Sequence, residues 1–281
     1  MNKLVRWLWM SCLLAVLAGC AASPTSSAGR AHSDALLQAQ LAQAQQALAA
    51  GAPPRVVFAG FALHSESKAF RGDVLVTEQA IRIADPQAVV FRLANPAFGQ
   101  EADWPFATPE NVQAVLQAIA ARVRSGDRVV LLFASHGARQ LLAVRAAGYD
   151  LAPITADQLQ QWLAPLRGHP TLLLLTACHS GSFIPALRGP SRMILAAAAA
   201  DRNSFGCQFH SANTFFIEEL LRKQPVGELS IRQLMENAGV GIERREAELR
   251  VEASHPQYFF GAAVQDWSRQ PVAQWLRAGT P

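Results

Sequence analysis

The sequence predicts an α/β fold, with a mostly parallel sheet covered by helices on both faces. Three observations carry that prediction. Six short apolar runs alternate with helix-like patterns between residues 55 and 264. The runs are nearly continuous in Val, Ile, Leu and Phe, as strands buried on both faces require. Two of them, VVLLFASHG (129–137) and TLLLLTACHSGSF (171–183), each reach a reactive side chain, His136 or Cys178, and then open into small residues. In open α/β sheets, sites form at such carboxyl ends of strands.

The elements follow in order. Residues 21–32 (AASPTSSAGRAH) read as a flexible tether. Ser33 is a candidate N-cap for a helix over 34–48, whose Leu37, Leu41, Ala44 and Leu48 make one apolar stripe, docked on the core or serving as a partner seam. Gly51-Ala52-Pro53-Pro54 ends it. RVVFAGF (55–61) is the first strand, Gly72 to Ala84 a helix stopped before Pro86, and QAVVFRL (87–93) the second strand. Residues 94–107 form a loop. Thr108-Pro109-Glu110 starts a helix with Val112, Val115, Leu116, Ile119 and Val123 on its apolar face and Gly126 closing it. The His136 strand comes next. Thr155 with Gln158 makes a capping box ahead of Leu159, Trp162, Leu163 and Leu166. After the Cys178 strand, RMILAAA (192–198) is the fifth strand, 213–222 and 230–244 are helical, and QYFFGAAV (257–264) is the sixth strand. The tail from Trp267 reads as a surface segment.

Composition bounds the rest. Hydrophobic residues make up 51% of the 281 and charged residues 16%, enough for a large core and too little charge for disorder. The formal charge is +4, or +4 − 2 = +2 without Lys3 and Arg6 of the leader, too weak and dispersed to imply a nucleic-acid partner, and no glycine-rich phosphate loop is present. Lys3 and Arg6 precede a short apolar run from Leu8 to Leu17, the form of an export leader. Leu17-Ala18-Gly19-Cys20 resembles the bacterial lipobox, in which Cys20 is lipidated and becomes the new N-terminus. An uncleaved anchor or ordinary cleavage near Ala22 are the alternatives. With Ala21 rather than Asp after the cysteine, the resemblance implies a chain in the bacterial cell envelope, on the outer membrane and facing the periplasm. Only Cys178 and Cys207 then remain, either as a disulfide or as two thiols kept apart; a core of this size needs no disulfide, so free thiols are expected.

His136 and Cys178 lie on strands separated by one crossover, so the strands are expected to be neighbours with both residues at one edge. A thiol becomes a nucleophile when an imidazole takes its proton. Gly137 admits close backbone approach, and its N–H with that of Cys178 could bind an oxyanion. Against this stand blander readings: a buried Cys in an apolar strand, a satisfied His at a strand end. Ser180 is a distant candidate nucleophile, because the G-x-S-x-G pattern is absent.

SHG after an apolar strand, followed by TACHSGSF, resembles the His-Gly and Ala-Cys blocks of the caspase-like clan of cysteine peptidases, and within it the legumain (C13) family. AAAAADRNSFGC (196–207) and SHPQYFFG (254–261) resemble later segments of that family. The resemblance implies a caspase-like three-layer α/β/α sandwich on a six-stranded sheet, a His136/Cys178 dyad, Gly137 and Cys178 amides as the oxyanion hole, peptide or protein substrates, and no metal or other cofactor. Departures concern the substrate pocket. Thr176 stands where legumains have an acidic residue, Arg71 matches a pocket arginine, Asn213 stands near a pocket Asp, and Ser204 completes the candidate set. The implied layout is a leader (1–19), a lipidated Cys20 with tether and helix (20–54), a peptidase domain (55–266) and a tail (267–281). The rival reading is a non-catalytic peptide- or protein-binding lipoprotein that keeps the fold.

Overall fold

The computed structural model describes residues 27–277. The leader, Cys20 and the first part of the tether lie outside the described residues. In chain order the elements are α1 (Ser27–Ala47), β1 (Val56–Ala62), α2 (Lys68–Ala84), β2 (Val89–Ala94), α3 (Pro109–Ala120), β3 (Arg128–Ala134), β4 (Gly137–Ala138), β5 (Leu141–Ala146), β6 (Tyr149–Thr155), α4 (Ala156–Leu163), β7 (Thr171–Leu175), α5 (Ile184–Leu187), β8 (Arg192–Ala196), α6 (Phe215–Ile217), α7 (Ile231–Leu249), β9 (Gln257–Phe260) and α8 (Val272–Trp275).

Six strands make the central sheet in the order β2-β1-β3-β7-β8-β9, parallel except for the antiparallel β8–β9 pair. The period of two along each strand divides the core. Val57, Ala59 and Phe61 of β1, with Val129, Leu131 and Phe133 of β3, pack beneath α1, α3 and α4. Val56, Phe58 and Ala62, with Val130, Leu132 and Ala134, pack beneath α2, α7 and α8. This is a three-layer α/β/α sandwich. Continuous apolar runs were needed because both faces of β1, β3 and β7 are covered; every residue of these strands is buried.

Several local expectations give way. The first helix is already running at Ser27, so Ser33 does not cap it; its buried hydroxyl accepts the Phe106 N–H at 2.8 Å. Leu37, Ala44 and Leu48 join the core, which settles α1 as a docked element. Gln40 on the same helix accepts the Arg92 N–H at 2.9 Å and donates to the Arg92 carbonyl at 3.1 Å. One side-chain amide thus satisfies an exposed backbone pair on edge strand β2, a position open to unwanted strand pairing. α2 begins four residues before Gly72, at Lys68, because Ser67 caps it by accepting the Ala69 N–H. The expected helix over 213–222 starts at Phe215 behind the Thr214 cap and continues as a π-turn over Glu218–Arg222. Residues 137–155 form a second, three-stranded antiparallel sheet that the sequence reading left unassigned. The tail from Trp267 is not a surface segment. Val272, Trp275 and Leu276 are buried, and the Arg128 guanidinium lies 4.5 Å from the Trp267 ring.

Candidate active site

β3 and β7 are adjacent, parallel and in register from Val129↔Thr171 to Phe133↔Leu175. Thr176 N–H still donates to Phe133 O at 3.0 Å after β7 ends. Carrying that register three residues on sets His136 level with Cys178. Their neighbours meet: a Cβ at Gly137 would lie 2.7 Å from the Cys178 carbonyl oxygen and 2.9 Å from the Ala177 Cβ. Only a residue without a Cβ permits this approach of two backbones.

β7 stops at Leu175 because the chain turns sharply. His179 takes the left-handed conformation (φ 56°), its N–H donates to Arg202 O at 2.8 Å, and a 3₁₀ turn follows over Ser180–Phe183. Each small residue of HSGS has a distinct task. Ser180 is wholly buried and its hydroxyl accepts the Ala198 N–H at 3.1 Å, so it braces the loop and is unavailable as a nucleophile. Gly181 donates to Ala198 O at 2.8 Å, and a Cβ there would meet the same oxygen at 2.8 Å. The Ser182 hydroxyl donates to His179 O at 2.6 Å and accepts the Gln140 N–H at 2.8 Å, joining the nucleophile loop to the β4–β5 turn.

Cys178 is half-buried and its thiol is free, as is that of Cys207. The Cys178 Sγ accepts the Ser204 N–H at 3.3 Å and lies 3.5 Å from the Ser204 carbonyl and 3.8 Å from its hydroxyl. Ser204 is therefore at the thiol itself, with both backbone and side chain. The Cys178 N–H has no hydrogen-bond partner among the described residues. Gly137 is placed for a similar role. Ala143 N–H donates to His136 O, so the next pair along the antiparallel ladder, Gly137↔Leu142, exchanges no hydrogen bonds and the Gly137 N–H turns away from β5.

The His136 ring is held by edges rather than by hydrogen bonds. It stands edge-on to His64 at 4.6 Å and to Phe70 at 5.1 Å between ring centroids. Burial pushes its pKa below the ordinary histidine value, with the Glu66 carboxylate pulling the other way. A neutral imidazole at neutral pH is the form that accepts a proton. His64 is pushed further, to about 4, by burial and then by His136. Its Nδ1 accepts the Glu66 N–H at 3.4 Å. The sequence reading missed His64, although its signal is the one that marked His136: a histidine just beyond the carboxyl end of a parallel strand.

The pocket candidates separate. Arg71 lines a cleft of about 100 Å³ that also reaches His64 and Ser67. Its guanidinium does not stand open: it pairs with both oxygens of Asp103, at 2.6 Å to one, and lies 4.0 Å from the Trp104 ring. Thr176 and Asn213 lie apart from that cleft, near the buried carboxylate of Asp73. Asp73 accepts the Thr214 N–H at 2.9 Å, the Thr214 hydroxyl at 2.8 Å and the Asn213 amide at 3.4 Å. Asn213 in turn accepts from Arg222 at 2.9 Å. The buried Thr176 hydroxyl lies beside Asp73 and has no hydrogen-bond partner among the described residues. Asp73 went unnoticed in the sequence because it shares a helical face with Phe70, Val74, Thr77 and Ile81 and breaks only one position of an apolar stripe. Burial of the carboxyl, opposed by those hydrogen bonds, raises its pKa to about 7.

The sequence model of the peptidase C13 family matches residues 108–272, more than half of the chain and inclusive of both strand ends. The chain belongs to the peptidase C13 family. Cysteine-peptidase chemistry is thus its coarse functional class, and the peptidase C13 match contains His136, Gly137, Cys178, Ser204 and Asn213, while Arg71 and Asp73 precede it. Among solved structures, the crystal structure of caspase-1 from Spodoptera frugiperda is similar at 14% identity and a TM-score of 0.49, over 74% of this chain and 86% of that one. No curated protein matches the sequence.

Proposed function

We propose that the protein is a lipid-anchored cysteine endopeptidase of the bacterial cell envelope, working through Cys178 and His136. The observation that carries this reading is the shared register of β3 and β7, which delivers a free thiol and a half-buried imidazole to one end of the sheet. His136 takes the thiol proton as Sγ attacks the peptide carbonyl carbon. The carbonyl oxygen gains negative charge facing the N–H groups of Cys178 and Gly137; one such donor is worth about 3–4 kcal/mol in enzymes of this type. When the C–N bond breaks, His136 gives its proton to the departing amine and an S-acyl enzyme remains. Water, deprotonated by His136, then hydrolyses the thioester and restores the thiol. An amine in place of water gives transpeptidation by the same steps.

The cleft holding Arg71 borders His64 and therefore the imidazole side of this centre. With Arg71 neutralised by Asp103, it favours a polar uncharged substrate side chain over a carboxylate. Ser204 contributes at the thiol. Thr176 and Asn213 act from behind, through the Asp73 network. On the N-terminal side, lipidation of Cys20 anchors the chain on the periplasmic face of the outer membrane; a Cys20→Ser chain is expected in the soluble envelope fraction. The rival reading, a binding protein without catalysis, is weakened by the free Cys178 thiol.

The test is turnover of a fluorogenic peptide library together with labelling by a thiol-directed acyl probe. Cys178→Ala is expected to abolish both. His136→Ala is expected to abolish turnover and to slow labelling. Full turnover in either variant overturns the assignment.

A further inference from the structure

At the end of the sheet away from Cys178, β8 opens with Arg192 beside Thr171, the first residue of β7. A cavity of about 200 Å³ lies there, lined by Gln160, Arg167, Arg188, Gly189 and Arg192, among others, and by no carboxylate. Arg192 is only 5% exposed. Its Nη2 donates to Leu163 O at 2.7 Å, and its buried Nε has no partner. Arg167 and Arg188 are exposed, and neither makes an ion pair or a side-chain hydrogen bond among the described residues. Three guanidiniums therefore share one cavity with no counter-charge.

That is an expensive arrangement for a folded chain. A buried charge is ordinarily paired or hydrogen-bonded throughout. Here burial, and then the like charge of Arg167, pull the Arg192 pKa down to about 10. The fold supplies positive charge and a vacant buried donor, and what it lacks is an acceptor with several oxygens. Guanidinium forks match phosphate oxygens in pairs.

We propose that this cavity binds a phosphate-type oxyanion, with Arg192 at its floor and Arg167 and Arg188 closing over the ligand. The ligand is either a soluble phosphoester or the phosphate of a lipid headgroup. The site shares no residue with the Cys178 centre, so it stands or falls separately from the peptidase reading.

The test uses the full chain carrying Cys20→Ser, so that no lipid confounds a membrane arm. Calorimetric titration with inorganic phosphate and pyrophosphate, against chloride at matched ionic strength, is expected to show saturable binding that Arg167→Ala and Arg188→Ala each weaken by about tenfold. Both substitutions remove exposed side chains and leave the core intact, so folding is preserved; Arg192→Met is read only if its circular dichroism matches the parent. Sedimentation with phosphatidylglycerol vesicles, against phosphatidylcholine, separates the sources. Selective vesicle binding lost in the two variants identifies a headgroup. Soluble binding without vesicle preference identifies a phosphoester. No saturation below about 10 mM, or binding that both variants retain, overturns the proposal.

Discussion

Replacing Asp73 by Asn isolates one buried charge. The carboxyl is fully buried, with its ordinary value of 3.8 raised to about 7, because burial outweighs the hydrogen bonds from Thr214 and Asn213. Between those two pH values the folded chain holds a proton that the unfolded chain has released. Asp73 therefore favours the folded state fully below pH 3.8, and this contribution is lost as pH rises to about 7 and stays lost above it. At about 1.4 kcal/mol for each tenfold change in proton affinity, the full swing is on the order of 4 kcal/mol. Asn fits the same contacts: its oxygen can accept the Thr214 N–H, and its amide can donate to the Thr214 hydroxyl. Denaturant titrations of both chains from pH 4 to pH 8 are expected to give similar stability near pH 4 and a growing advantage for Asp73→Asn, levelling off above pH 7, with an unchanged denaturant slope. A stability difference that is constant across this range would refute the reasoning, since it would mean that the carboxyl keeps its charge on burial.

Gly137→Ala puts a methyl 2.7 Å from the Cys178 carbonyl, a backbone atom that must move; peptide turnover is expected to fall by about a hundredfold while circular dichroism is unchanged. The acid limb of the pH–rate profile is expected below the ordinary histidine value, because burial lowers the His136 pKa; Glu66→Gln removes an opposing pull and shifts that limb lower still, read from kcat/KM against pH. Asp103→Ala releases Arg71 from its ion pair, so a peptide-library profile is expected to move toward acidic side chains, with stability changed by less than about 1 kcal/mol because the pair is exposed. Gln40→Ala uncovers the Arg92 backbone on β2. It is expected to cost about 1–2 kcal/mol in denaturant titrations and to raise the dimer fraction in size-exclusion chromatography.

Long-range pairing decided what local pattern left open. Residues 137–155 alternate only over Leu142, Val144 and Ala146, too short a run to separate from a loop, and their turn needs the left-handed Ala147 and Gly148, of which only the glycine signals itself. β9 is antiparallel although its apolar letters read like those of the parallel strands, since direction depends on where the chain returns after α7. Trp267, Val272 and Trp275 looked like surface residues because they follow the last strand; Val272 and Trp275 are buried, and Trp267 is partly so, because the face beneath α2 and α7 needs a cover at that end.

By itself the sequence determined the parallel sheet, the His136 and Cys178 strand ends and the caps at Thr108 and Thr155. Each of these is written within a few consecutive residues, as a period, a cap or a strand terminus. The tertiary structure alone decided what surrounds those two residues: His64 and Phe70 against the imidazole, Ser204 against the thiol, Asp103 on Arg71 and Asp73 beneath Thr214. These contacts join residues as far as 141 positions apart. Their energies come from burial and from counter-charges that exist only after the sheet has closed, so nothing in the local sequence marks them.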